Sequence, residues 1–173
     1  MSKRIILYRH SKSSWEDLNI DDYDRQLNSR GLIDAEHMAN IIGTKIILPD
    51  LILCSGSTRT RQTIDALRKK NPFIEIEYDD NLYLAEVFAI DYLISQVANE
   101  VETLLICAHN PGLTEFLNQK TNNIFDEIPT SCIVVIEFEN YLWKDVPHSK
   151  GKLTFIEYPN MPKDTGLNNI LNY

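Results

Sequence analysis

The sequence predicts an α/β fold of three layers, in which helices cover both faces of a mostly parallel central sheet with an antiparallel pair at one edge. Compact apolar runs rich in β-branched residues alternate along the chain with stretches of helical periodicity, which is the pattern of parallel strands joined by helices. The last two apolar runs are joined by a loop without helical periodicity, which predicts the antiparallel edge pair.

Six strands are predicted from these runs. The runs at 3–8, 51–54 and 103–108 are almost continuously apolar, as expected for strands that are covered on both faces. The run at 73–78 alternates between apolar and charged residues, which is typical of a strand with one face in solvent. The six predicted strands cover residues 3–8, 51–54, 73–78, 103–108, 132–138 and 152–158.

Four helices are predicted between the strands. The first shows apolar residues at helical spacing, namely Leu32, Ala35, Met38, Ala39 and Ile42. Ser57 or Thr58 can cap the second helix, which runs to about Lys70. Residues 11–28 lack steady periodicity and are predicted to form a loop. The predicted helices cover residues 29–45, 58–70, 89–99 and 113–119.

Length and charge restrict the class of protein. The 173 residues are enough for one domain with its own core, and we expect a single domain over residues 1–173. The formal net charge is −8 and the pI is about 5.0. Because such a surface repels nucleic-acid backbones and anionic membranes, neither is expected as a partner. An anionic substrate would require a local cluster of positive side chains.

Cysteine usage and the absence of long apolar stretches predict a cytoplasmic protein. The three cysteines, Cys54, Cys107 and Cys132, lie in or beside apolar runs and show no CxxC spacing. A disulfide framework or a structural zinc site is therefore not expected, and the thiols fit a reducing compartment. The chain contains no stretch typical of a signal peptide or of a membrane-spanning helix.

Polar residues that follow three of the predicted strands identify a candidate site. The first strand leads to Arg9 and His10, the second to a helix with Arg59 in its first turn, and the fourth to His109. Ligands of open α/β sheets bind beyond the carboxyl ends of the strands, so these side chains are expected to meet at one edge.

This set of side chains suits a phosphoryl group. Arginine offers a planar fork of donors that matches phosphate oxygens, and the start of a helix adds free backbone N–H groups. A neutral imidazole can attack phosphorus and form a covalent intermediate that water cleaves. Fixed donors can stabilise the transferring group, and the sequence contains no HExxH motif or carboxylate cluster, so neither a metal nor another cofactor is expected.

Other histidines and arginines are interpreted as structural or surface residues. Arg61 lies two residues from Arg59 and cannot share its helix face. His37 falls within a predicted helix and His148 in a late loop, away from any strand end.

Several segments, in order, resemble motifs of the histidine phosphatase superfamily (phosphoglycerate mutase-like), and specifically its SixA-type phosphohistidine phosphatase branch. LYRHSKSSW resembles the opening Arg-His motif, with Ser11 where the family has glycine or another small residue. DRQLNSRGLIDA, SGSTRTRQT and CAHNPGL are similar to the next three motifs, and Trp143 with residues 152–159 resembles the closing hairpin. The resemblance extends from about residue 3 to residue 159 and implies the same three-layer fold.

The resemblance implies a role for each candidate residue. His10 would accept the phosphoryl group, while Arg9, Arg59 and His109 would bind the phosphate. Asn110 stands where some larger acid phosphatases carry a proton-donating aspartate, so that role is not supplied there. Glu86 falls near the general acid of mutase-like members, but the local motif matches poorly and an ordinary surface glutamate is the preferred interpretation.

The predicted function is that of a metal-independent phosphatase whose substrate is a phosphohistidine, in the form of a phosphorylated partner protein. A site without a dedicated acid favours a leaving group that departs readily, such as the imidazole of phosphohistidine or an aryl alcohol. A small-molecule phosphomonoesterase or mutase of the same fold is one alternative, although 173 residues leave little room for a lid. A phosphate-binding module without turnover is another. The sequence assigns no role to the tail after Pro159.

Overall fold

The computed structural model describes residues 2–139 and 142–161, so the tail from residue 162 onward lies outside the described residues. The described strands are β1 (Lys3–Arg9), β2 (Leu51–Cys54), β3 (Glu75–Tyr78), β4 (Thr103–Ala108), β5 (Ile133–Phe138) and β6 (Lys152–Glu157). The described α-helices are α1 (Ser29–Ile41), α2 (Thr58–Lys70), α3 (Val87–Ser95) and α4 (Gly112–Lys120). Three short 3₁₀ helices cover Asp22–Asp24, Asp80–Leu82 and Trp143–His148.

The strands form one mixed sheet in the order β3-β2-β4-β1-β5-β6. The β3-β2-β4-β1 part is parallel, whereas β5 runs antiparallel to β1, and β6 runs antiparallel to β5. This confirms the predicted three-layer α/β fold with its antiparallel pair at one edge. Among the described helices, none combines the length and the apolar character that crossing a membrane requires.

The central strands are apolar on both faces because two cores lie on opposite sides of the sheet. In β1, Ile5 and Leu7 pack in the core that includes α3 and α4. The alternate residues Ile6 and Tyr8 pack in the core that includes α1 and α2. Burial on both sides explains why this strand appears in the sequence as a continuous apolar run rather than an alternating one.

The first helix ends four residues earlier than predicted. The helical spacing of apolar residues continues to Ile42, but α1 ends at Ile41 and Ile42 adopts an extended conformation. Gly43 follows with φ at +93°, a left-handed conformation that glycine adopts readily and that breaks the helix. The prediction of a helix to residue 45 was therefore wrong at its carboxyl end.

Other parts of the sequence prediction also differ from the structure, and one end each of β1, β5 and β6, together with both ends of α4, differs by one residue. Strand β3 begins at Glu75 rather than at residue 73, because the backbone N–H of Ile74 donates to Asn71 in a turn that leaves Phe73 99% exposed. Helix α3 covers Val87–Ser95 rather than 89–99. The predicted loop at 11–28 contains the 3₁₀ helix Asp22–Asp24, which becomes important below.

Close contact between α1 and the loop after β1 requires a glycine at position 31. A Cβ atom at Gly31 would lie 2.1 Å from the carbonyl oxygen of Lys12, which accepts a hydrogen bond from the backbone N–H of Asn28. Neither backbone segment can move away without losing that bond.

We expect Gly31→Ala to lower the free energy of unfolding by about 1–3 kcal/mol, the usual effect of overpacking. This loss would occur even though alanine favours helices by about 1 kcal/mol over glycine. Urea unfolding measures the difference. Ile33→Ala, at an exposed position of the same helix, is the matched control and should change stability by only about 0.5 kcal/mol. Equal or greater stability of Gly31→Ala would contradict the close contact.

Candidate active site

Neighbouring parallel strands bring the candidate residues to one edge of the sheet. β1 ends at Arg9, directly before His10, and β4 ends at Ala108, directly before His109. Arg9 is paired with Ala108 across the two strands, so both histidines leave the sheet at the same level. On the other side of β4, β2 leads into α2, whose first turn carries Arg59. The four side chains predicted from the sequence are thus brought together.

The hydrogen bonds of His10 determine its tautomer. The ring is 8% exposed, and its Nδ1 lies 2.7 Å from the carbonyl oxygen of Ser11. Because a carbonyl oxygen can only accept, Nδ1 carries the proton. The other nitrogen, Nε2, accepts a hydrogen bond from Nε of Arg59 at 3.3 Å, so its lone pair is directed at the guanidinium. His10 is therefore a neutral imidazole whose ring lone pair is on Nε2.

His109 has the opposite tautomer. Its Nδ1 accepts from Nη2 of Arg59 at 3.3 Å, which leaves the proton on Nε2 for donation to Oγ of Ser55 at 2.9 Å. Its ring centroid lies 5.1 Å from that of His10. Both imidazoles therefore direct a lone pair at the same guanidinium.

Arg59 is held by a carboxylate in the loop after β1. Its Nη2 donates to Oδ2 of Asp22 at 2.9 Å, and its Nη1 donates to the backbone carbonyl of the same residue. The hydroxyl of Tyr83 donates to the same Oδ2 at 2.5 Å, and the Tyr83 ring packs edge-on against His109. Arg59 is 4% exposed, so this countercharge compensates for the burial of a cation.

Arg9 is held in a comparable way on the opposite side. Its Nη1 donates to Oε1 of Glu127 and to the carbonyl of Ile128, each at 2.6 Å. Asn110 donates to the same two acceptors, at 3.3 Å and 3.0 Å. Asn110 therefore acts in the structure as a hydrogen-bond partner of the segment that orients Arg9.

The four candidate residues line one cavity of about 530 Å³. The loop after β1 supplies much of the remaining wall, with Lys12, Ser13, Trp15 and Asp22. The cavity is completed by Leu84, Asn110 and Thr130. The start of α2, which was predicted to offer backbone N–H groups, contributes Arg59 to the lining.

The residues interpreted from the sequence as ordinary surface residues lie outside this cavity. Glu86 is exposed just before α3, and His37 and His148 are also exposed. Arg61 donates to the carbonyl of Gly56 at 2.6 Å and stacks on Tyr78.

Burial and neighbouring cations keep both histidines neutral. The pKa of His10 is lowered from 6.5 to about 4, chiefly because burial disfavours the imidazolium, with further lowering by the charges of Arg59 and Arg9. The pKa of His109 is lowered to about 3 by burial, then by His10 and by Arg59. The neutral form of His10, with its lone pair on Nε2, is therefore present well below neutral pH.

The sequence did not reveal Asp22, Tyr83 or Glu127 as parts of the site. Asp22 lies among several acidic residues of the loop after β1, and nothing in their spacing distinguishes it. Tyr83 and Glu127 lie in segments without periodic pattern. The acidic residues spread over positions 16–24, shortly after the Arg-His pair, were the one available signal for a countercharge.

Comparison with known proteins identifies the family. The model of the histidine phosphatase superfamily (branch 1) matches residues 5–92, which include Arg9, His10 and Arg59. The chain belongs to the histidine phosphatase superfamily. Membership confirms the prediction of a phosphatase at the level of the family, whereas the roles of the individual site residues remain predictions.

Sequence relatives are uncharacterised proteins. The chain is 30% identical over 73% of its length to a chloroplastic protein of Arabidopsis thaliana, and the match covers 57% of that protein. It is also 30% identical over 87% of its length to a protein of Mycobacterium tuberculosis, of which the match covers 99%.

Solved structures confirm the predicted SixA-type branch. A protein of Agrobacterium tumefaciens assigned as the phosphohistidine phosphatase SixA is 28% identical, with a TM-score of 0.77 and coverage of 91% of this chain and 98% of that one. The protein histidine phosphatase SixA complexed with tungstate is 20% identical, with a TM-score of 0.74 and coverage of 90% and 97%, and this likeness shows the fold.

We expect ¹⁵N NMR to find both active-site histidines neutral at about pH 6, below the usual histidine pKa. The proton should lie on Nδ1 in His10 and on Nε2 in His109, as the hydrogen bonds require. Spectra of the His10→Ala and His109→Ala variants assign the signals. An imidazolium pattern at that pH, or one tautomer for both rings, would contradict the site described above.

The lowered pKa values of the two histidines also make the free energy of unfolding depend on pH. Since the pKa of His10 falls from 6.5 to about 4 on folding, the unfolded chain binds the proton first, and the free energy of unfolding decreases as the pH is lowered through this window. Activity measurements at acid pH therefore need circular dichroism as a check of folding.

Proposed function

We propose that this chain is a metal-independent phosphatase that transfers the phosphoryl group of its substrate to Nε2 of His10 and then to water. The observation that carries the proposal is the neutral His10 ring, whose Nε2 lone pair faces the Arg59 guanidinium inside the cavity. A lone pair next to a cation is placed to attack a group that the same cation binds.

The reaction has two steps. In the first, Nε2 of His10 forms a bond to phosphorus, the bond from phosphorus to the leaving group breaks, and the leaving group takes a proton from solvent water. In the second, water attacks phosphorus, the N–P bond breaks, and inorganic phosphate leaves with neutral His10 restored. Throughout, the proton stays on Nδ1 of His10 and is donated in a hydrogen bond to the carbonyl oxygen of Ser11. This hydrogen bond stabilises the positive charge on the phosphorylated ring.

Arg9, Arg59 and His109 would bind the phosphoryl oxygens. The guanidinium N–H groups that now point at the imidazole lone pairs are the donors that phosphate oxygens would use. A bound dianion also favours protonation of His109, because a nearby negative charge raises the pKa of an imidazole. His109 would then donate from Nδ1 as well.

The nature of the leaving group follows from the acids of the cavity. Among the described lining residues, Asp22 is the one carboxylic acid. Partial burial alone would raise the pKa of Asp22, but hydrogen bonds from Tyr83 and Arg59, with the charges of Arg59 and Arg25, outweigh that effect and lower it. An ionised carboxylate cannot protonate a leaving group. In a protonated His109 the two N–H groups would be engaged, Nδ1–H with the phosphate and Nε2–H with Ser55, so neither would be free for the leaving group. The cavity therefore favours phosphohistidine, whose imidazole departs readily, over an alkyl ester.

A phosphohistidine protein is the substrate that we propose on this basis, in agreement with the activity named for the SixA structure bound to tungstate. A cytoplasmic location remains part of the proposal, and the three buried free cysteines are compatible with a reducing compartment.

We expect the wild-type protein to hydrolyse an aryl phosphate in the presence of EDTA, and His10→Ala to reduce kcat by roughly 10⁴-fold or more, as loss of a nucleophile does. His37→Ala, which removes an exposed histidine far from the cavity, is the control and should retain wild-type kcat. Circular dichroism establishes that both variants fold. Wild-type kcat in a folded His10→Ala variant would refute the proposed intermediate, as would loss of activity in EDTA that a divalent cation restores.

We also expect free N-phosphohistidine and aryl phosphates to be turned over with kcat/KM roughly 10²–10⁴-fold higher than an alkyl phosphate, the range that a missing general acid accounts for. Phosphate release from each substrate under identical conditions is the measurement. Comparable kcat/KM for the alkyl phosphate would mean that a proton donor operates in this site.

A further inference from the structure

A groove extends from the cavity across the surface next to α3 and α4. A depression of about 450 Å³ shares Arg9 and Asn110 with the cavity. A further depression of about 330 Å³ shares Pro111 and Glu115 with that one, and Leu84 with the cavity. These two depressions, together called the outer groove, are therefore continuous with the proposed catalytic site.

The outer groove exposes apolar side chains. Phe88, on the first turn of α3, is 82% exposed, and Leu84 is 51% exposed. Pro111 is also exposed. Leu84 has φ at +48°, a left-handed conformation that is unfavourable for a bulky side chain. Exposed apolar surface beside a reaction site is typical of contact with a ligand larger than the reacting group.

The charge of the outer groove is negative. Glu86, Glu115 and Asp126 are exposed along it, and within residues 2–139 and 142–161 none of these three carboxylates forms an ion pair. Among the described residues that line it, Arg9 is the one basic residue, and it is already paired with Glu127. A small phosphate ester with acidic substituents would be repelled there, whereas a ligand with basic groups would be attracted.

We propose that the outer groove docks the polypeptide that surrounds the phosphorylated residue of the substrate, and that this polypeptide carries basic and apolar side chains. The inference rests on the proposed function, because the phosphohistidine would occupy the cavity while its flanking residues lie in the groove. A polypeptide combines cationic and apolar side chains in one ligand, which matches the carboxylates and the exposed Leu84 and Phe88. The groove would thus determine which phosphorylated proteins are accepted.

Two synthetic phosphohistidine peptides test the proposal. They have equal length and are phosphorylated by phosphoramidate, but one has lysine and leucine around the phosphohistidine and the other has glutamate and serine at the same positions. We expect wild-type kcat/KM to be about tenfold higher for the basic peptide. This factor corresponds to two exposed ion pairs, one with Glu86 and one with Glu115, that each increase kcat/KM roughly threefold. Fluorescence anisotropy with the His10→Ala variant measures the same preference as binding, without turnover.

Charge-reversal variants assign the preference to the groove. Glu86→Lys combined with Glu115→Lys should abolish or invert the ratio between the two peptides. The matched control combines Glu75→Lys with Glu77→Lys, the same charge change on the exposed strand β3, and should retain the ratio.

A second pair of variants tests whether the exposed apolar side chains of the outer groove contribute to peptide binding. Phe88→Ala should weaken binding of the basic, leucine-containing peptide to the His10→Ala protein. Phe73→Ala, which removes a 99% exposed phenylalanine before β3, should not.

The outcomes separate the groove from the proposed function. Equal binding and kcat/KM for the two peptides, or a preference that survives the Glu86/Glu115 reversal, would overturn the docking surface even if both peptides are hydrolysed. Selective binding without hydrolysis of either peptide or of an aryl phosphate would support the groove and refute the phosphatase.

Discussion

The candidate active site depends on one interaction, the ion pair between the buried guanidinium of Arg59 and Asp22. The Arg59 side chain is 5% exposed, and a cation removed from water to this degree is tolerated only with a countercharge and satisfied hydrogen bonds. Asp22 provides the countercharge from the loop between β1 and α1. This ion pair attaches the loop to α2, so the loop that forms one wall of the cavity is positioned by the same contact that stabilises the cation.

Arg59 also contributes, after burial, to the low pKa values of the two histidines. Its N–H groups donate hydrogen bonds to the ring lone pairs of His10 and His109. Its positive charge adds to the effect of burial in lowering the pKa of each histidine. Two neutral imidazoles and two arginines then surround a cavity in which additional positive charge is unfavourable and an anion is favourable. Such a cluster is complementary to a phosphoryl dianion. When no anion is bound, the ion pairs of Arg9 with Glu127 and of Arg59 with Asp22 reduce the repulsion between the two arginines.

The separation of charge on the surface reconciles a net charge of −8 with an anionic reacting group. Cations are concentrated where three strands end, while the adjoining groove exposes Glu86, Glu115 and Asp126. This distribution fits the proposed substrate, which would place its phosphoryl group in the cavity and basic residues of its polypeptide in the groove. A free acidic metabolite would fit the cavity but would be repelled by the groove.

Short-range sequence patterns were sufficient for the architecture. The strands at 51–54 and 103–108 were predicted with the boundaries that the structure has, since uninterrupted apolar runs arise where a strand is covered on both faces. The end of α1 was missed because periodicity continues to Ile42 while the left-handed Gly43 already breaks the helix. The residues at the ends of β1 and β4 were identified because parallel strands bring their carboxyl ends to one edge.

The succession of strands and helices along the chain, the family motifs and the four candidate residues could be predicted, because each is recorded in neighbouring residues or in the ends of predicted strands. Other features became apparent only in the folded chain: the pairing of Asp22 with Arg59, the support of this pair by Tyr83, the contact of Glu127 with Arg9, and the continuation of the cavity into the outer groove. Asp22 and Arg59 are 37 positions apart, and contacts over such separations depend on how loops and helices pack on the sheet. No local pattern of residues encodes that packing.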